Sequence, residues 1–226
     1  LLVAEYVYND RDAFRISRFD QRFVVEDLER PLLAALRAYY EHEPVPGSAW
    51  TPAATWDEIE PDLDAQLTAW PIEIQNALAL AIEGLVRAAE MRNEALLSGD
   101  YTIADWETLH YYFTVVPSTY EHEFGTYAHP NFDFELMSRA GQLAARSLES
   151  LRAALADAPL ADGLALELDG PFGRIAVSME DAANEWVGDG SDLFLLVDGG
   201  GDDTYLDFVA TNTTISREGI PERYRE

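Results

Sequence analysis

The residues best suited to chemistry lie between Val187 and Asp207, where Gly and Asp alternate with apolar and aromatic positions. Two copies of G-x-G-x-D-x-aromatic follow one another: Gly188, Gly190, Asp192 and Phe194, then Gly199, Gly201, Asp203 and Tyr205. Glycines at alternate positions let the backbone reach positive φ and turn its carbonyl oxygens toward one point. Each aspartate adds a hard carboxylate oxygen, so a turn of this kind suits Ca²⁺. The candidate metal ligands are Asp189, Asp192, Asp198, Asp202 and Asp203. Nine carboxylates and no base stand between Arg174 and Arg217, and such a run repels itself unless a cation or open water relieves it. The competing reading is a plain acidic hairpin turning at Asp198 to Asp203, because Gly and Asp are ordinary turn residues. The segment from Arg37 to Arg87 is also base-free and acidic without any such turn, so charge alone does not decide between the two.

The two glycine and aspartate units resemble the RTX-type nonapeptides of secreted bacterial proteins, G-G-x-G-x-D-x-U-x, in which Ca²⁺ sits between stacked turns. The resemblance covers residues 187–206, with Val187 and Asp198 standing where the family's units open on glycine, and with Asp192 and Asp203 eleven positions apart. It implies a β-roll segment ordered by calcium, a secreted or cell-surface protein, and a metal cation, another protein or a longer repeat array as partner. More loosely, Gly170 to Val177 and Leu196 to Tyr205 resemble exported bacterial proteins that repeat an acidic Gly-Asp-Asp-x-Tyr turn, which implies a fold and no activity.

A second cluster offers different chemistry. Residues 105–134 hold His110, His122 and His129 with Glu107, Glu121, Glu123 and Asp133 among many aromatics. Imidazole and carboxylate together can bind Zn²⁺ or run general acid and base steps. Glu107, His110, Glu121, His122 and Glu123 are therefore the candidate catalytic residues of a hydrolase, the alternative to a calcium-binding protein without enzymatic activity. The spacing lacks the i, i+4 histidine pair of a metalloprotease helix, and Gly125 and Pro130 argue against a continuous helix there. Packing aromatics with surface histidines would give the same composition. Glu41-His42-Glu43, beside a proline loop, reads as a solvated turn.

These candidates must be positioned by a helical body and a strand-rich end. Residues 11–29 mix charged and apolar positions without a clean period and read mostly as helix. Pro31 opens a helix carrying Leu32, Leu33, Leu36, Tyr39 and Tyr40, since its missing N–H has no helical partner at that position anyway. A short acidic helix follows over 56–70, begun or interrupted by Pro61. Ile74, Leu78, Ala81, Leu85, Ala88 and Met91 recur at steps of three and four, which predicts a central buried helix over 71–97. Thr102 and Asp105 form a capping box for a helix to about Tyr112. Leu136, Ala140, Leu143, Ala144, Leu148, Leu151 and Leu155 predict a further helix over 132–156. Beyond the boundary at 157–163 the period falls to two, and strands are expected at 164–168, 174–178, 193–197 and 204–210.

The expected class is α+β: a helical body over 1–160 packed on a small antiparallel or stacked β unit over 161–226 that ends in a polar tail. The chain has 226 residues and 48% hydrophobic content, enough for a real core. Its net charge of -27 disfavours nucleic acid and anionic membrane surfaces, both polyanions, as partners. Every basic residue is arginine, and cysteine is absent, which rules out disulfides and thiolate metal sites. The opening at Leu1 shows no charged-then-apolar leader and no stretch long enough to span a bilayer, so a soluble, mature or trimmed form is expected.

Overall fold

The computed structural model describes residues 2–8, 19–25, 29–44, 50–96, 133–187 and 193–206. It is an α+β fold. In chain order its elements are β1 (Leu2–Tyr8), β2 (Phe19–Val25), α1 (Pro31–Tyr40), α2 (Trp56–Leu67), α3 (Ile72–Leu96), α4 (Phe134–Leu155), β3 (Ala165–Gly170), β4 (Gly173–Ser178), β5 (Glu185–Val187), β6 (Leu193–Asp198) and β7 (Thr204–Leu206). Strand β2 corrects the helical reading of residues 11–29 over 19–25, most of the described part of that span: β1 and β2 pair antiparallel, Leu2 opposite Val25 and Tyr8 opposite Phe19.

Helix α3 is the axis of the body. At 25 residues it is about 38 Å long, and its stripe of Ile74, Leu78, Ala81, Leu85, Ala88 and Met91 is buried throughout. Helix α4 packs along it. Ala140 and Leu143 meet Ala88 and Met91 toward one end, while Leu151 joins the main core. Steps of four from Leu143 reach Ser147 and Leu151, so Ser147 is buried and Leu148 is 44% exposed, against the expectation that Leu148 faces inward. Asp133 caps α4 by accepting from the Leu136 N–H at 2.8 Å. Helix α2 starts on the Thr55 and Glu58 capping box and continues through Pro61. Its far end is sealed by the buried Gln75, whose amide donates to the Leu67 and Trp70 carbonyls at 3.1 and 3.0 Å.

The β unit shares this core. Strands β3 and β4 form an antiparallel hairpin across Pro171 and Phe172, with Leu166 and Leu168 turned inward and Glu167 and Asp169 outward. Leu164, Leu166, Leu168, Ile175, Val177, Met179 and Leu195 belong to the same apolar cluster as Leu32, Leu36, Leu78 and Ile82. Tyr39 of α1 is the rivet between the layers. Its ring lies 5.0 Å from Phe194 and 6.2 Å from Phe172, and its hydroxyl donates to the Gly173 carbonyl. A side chain at Gly170 would collide with that ring, so the close approach of α1 to β3 requires glycine there. Burial pushes the Tyr39 phenol up from its ordinary range.

Beyond the hairpin the pairing is parallel. Strand β6 runs beside β4, with Ile175 opposite Leu195 and Ser178 opposite Asp198, and β7 runs beside β5, with Glu185 opposite Thr204 and Trp186 opposite Tyr205. The chain thus passes from one sheet to the other and back, β4 to β5 and then β6 to β7, each strand meeting its predecessor 19 or 20 residues earlier. Of the two expected arrangements, the stacked one holds beyond β4. Strands β6 and β7 are paired not with each other but with β4 and β5, which replaces the hairpin reading of Asp198 to Asp203 with a turn between two sheets.

Candidate functional site

Parallel stacking brings two turns together on the same side of the β unit. Residues 179–184 connect β4 to β5, and residues 199–203 connect β6 to β7. Backbone bonds bind them at both ends: the Gly199 N–H donates to the Ser178 carbonyl at 2.8 Å, and the Thr204 N–H to the Asn184 carbonyl at 2.9 Å. Between these, the Asn184 N–H donates to Asp203 Oδ1 at 2.7 Å. Gly201 sits at φ 125°, against the Ala182 carbonyl, in a conformation and a space that exclude a side chain. Asn184 also reaches from its amide to Ser178 Oγ and to the Ala182 carbonyl, both at 3.3 Å. The upper turn is tied to the segment that links α4 to β3, since Glu180 accepts from the Gly163 N–H at 2.6 Å and the Met179 carbonyl from the Ala161 N–H at 2.9 Å.

Asp198, the last residue of β6, is the most constrained carboxylate of the site. Its Oδ2 accepts from the Trp186 indole N–H at 2.8 Å and from the Tyr205 hydroxyl at 2.6 Å. Its Oδ1 is shut away from solvent with no hydrogen-bond partner among the described residues. The phenol of Tyr205 is pushed up to about 12, first by its hydrogen bond to Asp198, then by burial and by the charges of Asp198 and Asp203. Trp186 and Tyr205 occupy equivalent positions of successive strands, yet Trp186 is 8% exposed and Tyr205 49%.

Of the five aspartates expected to hold a metal, Asp198, Asp202 and Asp203 lie on this turn, with Asp202 exposed and the other two half-buried. Asp189 and Asp192 fall outside the described residues, as does the first of the two G-x-G-x-D units apart from its Phe194. Among the described residues, no group of three His, Asp or Glu side chains converges on a point that could hold a metal. Glu107, His110, Glu121, His122 and Glu123, the candidate catalytic residues, also lie outside the described residues, as does the helix expected after Thr102. An open groove of about 300 Å³ runs beside the upper turn, lined by Gln66, Glu167, Ser178, Asn184, Glu185 and Trp186.

Sequence reasoning overlooked Asn184 and Trp186, because it paired the turn at 199–203 with the one eleven residues earlier. The signal was a longer period: Val177-Ser178 against Val197-Asp198, then Asn184-Glu-Trp-Val against Asp203-Thr-Tyr-Leu. His42 was overlooked as well. Far from being a solvated turn, its ring donates to the Glu43 carbonyl and meets Glu90, both at 2.9 Å. Compared with known protein families, curated proteins and solved structures, the chain has no match. Among the described residues no helix is long and apolar enough to cross a membrane.

Proposed function

We propose that the β unit is a binding or structural module of an extracellular or surface protein, and that its Gly/Asp turns take up Ca²⁺ and so order the stacked strands. The reading is supported chiefly by Asp198. A carboxylate oxygen withdrawn from water with no donor facing it is costly, more so than a neutral group in the same place. Ca²⁺ relieves that cost better than most cations, because it takes six to eight oxygen ligands in irregular geometry and accepts backbone carbonyls alongside carboxylates. Asp198 would hold it through Oδ1, and Asp202 and Asp203 of the same turn, which do not converge with it in this structure, would swing in as the ion binds. Asp192 is the further ligand that the resemblance to RTX-type repeats implies, and Asp189 is a neighbouring carboxylate that could join it. The stacking supports the same reading, since a shared ion between repeats needs two turns on one side, and 179–184 stands over 199–203.

The test is a substitution that keeps shape and removes charge. Asp198→Asn retains an oxygen to accept from Trp186 and Tyr205 but replaces the second oxygen with an amide. Ca²⁺ at a hundredfold over its Kd should stabilise the wild-type protein by about 2.7 kcal/mol and the variant much less. Equal stabilisation of both proteins, or of neither, overturns the proposal.

A further inference from the structure

Where α1 ends, the ring of His42 lies between two groups that only accept hydrogen bonds. Nδ1 is 2.9 Å from the backbone carbonyl of Glu43, and Nε2 is 2.9 Å from Glu90 Oε1 on α3. The carbonyl has no proton to give. Glu90 has none either while it is ionised, and the Arg87 guanidinium, 2.7 Å from its other oxygen, holds it so. Burial raises the Glu90 carboxyl, but the hydrogen bonds and charges of His42 and Arg87 outweigh that and leave it below its usual range. A neutral imidazole has one N–H and one lone pair, so it can satisfy only one of these two acceptors and turns its lone pair on the other. Both contacts are made together only by the imidazolium.

The ring also bears on the β unit. It packs 4.9 Å from Phe172, the tip of the β3–β4 hairpin, and Phe172 in turn stacks with Phe194 of β6 at 5.7 Å. The charged and titratable groups around it are few. On α3 they are Glu90, Arg87 and, one turn back, Glu83, whose half-buried carboxyl is raised by burial and then by the charge of Glu90. On its own chain segment they are Glu43 and Glu41, the latter paired with Arg37 at 3.1 Å. From the hairpin, the Phe172 ring packs on the imidazole.

We infer that His42, set between the Glu43 carbonyl and the Glu90 carboxylate and stacked on Phe172, is a proton-dependent clasp that fastens the end of α1 to α3 and to the β3–β4 hairpin. Histidine changes charge between about pH 5 and 8. The clasp makes both contacts while the imidazole is protonated and keeps only one of them when it is neutral. It needs no ligand at the Gly/Asp turns, so it stands or falls separately from the calcium reading.

The experiment compares unfolding of the full chain with that of His42→Phe, which keeps an aromatic ring against Phe172 and removes both donors. Taking the difference between the two proteins at each pH cancels the titration of the groups that do not interact with His42, leaving its coupling to Glu90. The unfolding constant of the variant relative to wild type should be about tenfold larger at pH 5.5 than at pH 8, the scale of one partly exposed hydrogen bond to a charged group. A ratio independent of pH overturns the clasp. Glu90→Gln should flatten the pH dependence in the same way with His42 intact. The ring protons give a direct readout: both N–H protons of the protonated His42 ring should exchange slowly with water because each is held by an acceptor, and fast exchange of either overturns the inference even if a variant fails to fold.

Discussion

Replacing Gly201 with alanine should be the most damaging single-methyl change in the turns that flank the strands of the β unit. Gly201 has φ 125°, a conformation that costs a residue with a side chain about 1–3 kcal/mol. The added Cβ would also overlap the Ala182 carbonyl oxygen and lie 2.8 Å from its carbon, and backbone cannot swing aside as a flexible side chain can. Relieving the overlap means parting the two turns, which stretches the bond from the Asn184 N–H to Asp203, a hydrogen bond to a charged group worth roughly 1.5–3 kcal/mol. Together these predict a loss of roughly 3–5 kcal/mol. Gly163→Ala is the internal control. Gly163 has φ 85° with nothing within 4 Å of a built Cβ, so only the conformational cost of about 1–2 kcal/mol applies, partly offset by a stiffer unfolded chain. Gly199→Ala falls between, because its nearest neighbours are the Leu160 and Met179 side chains, which can shift. Urea and thermal unfolding of the three variants should rank them Gly201, Gly199, Gly163, with Gly201→Ala melting several degrees below Gly163→Ala. If Gly201→Ala is no worse than Gly163→Ala, the close approach of the turns is refuted.

Two further outcomes follow from hydrogen bonds elsewhere in the fold. In ultraviolet titration, Asp198→Asn should return one tyrosine from about 12 toward its ordinary midpoint, since the carboxylate that raises the Tyr205 phenol is gone; an unchanged titration curve would remove Asp198 as the cause. Gln75→Leu should cost about 1–3 kcal/mol by leaving the Leu67 and Trp70 carbonyls without their donor, and an unchanged urea midpoint would show that water replaces the amide at no cost.

The helical body was largely legible in the sequence, because its information is local. Each apolar residue of the α3 stripe from Ile74 to Met91 proved buried, and Pro31 does open α1. The error in α4 is instructive: a serine lies on the buried stripe between Leu143 and Leu151, and counting leucines moved the face by one residue onto Leu148. Strands β1 and β2 escaped notice because residues 9–18 separate them, too many for a short hairpin signal, and charged residues interrupt their alternation. At the candidate site the glycines and aspartates were visible, but their partners were not. Parallel pairing places Asp203 beside Asn184 and Trp186 beside Tyr205, residues 19 positions apart, and nothing local to either turn points that far back. His42 shows the same limit, since Glu90 is 48 residues away and Phe172 is on another layer.

Acidic turns that hold a specific ion, as proposed, differ measurably from turns that suffer only general self-repulsion. Titrating Ca²⁺, Mg²⁺ and NaCl at matched ionic strength while following unfolding separates the two. Screening acts through the Debye length alone and treats the salts alike, closing in at about 3 Å near 1 M. A built site responds to Ca²⁺ where ionic strength hardly changes, and less to Mg²⁺, which demands near-octahedral geometry and keeps its waters. With a bound ion, the Ca²⁺ curve should rise first, with Mg²⁺ weaker and NaCl last, and Asp203→Asn should remove most of the calcium response. Three coincident curves would contradict a bound ion and leave the turns as an acidic strut held by hydrogen bonds alone.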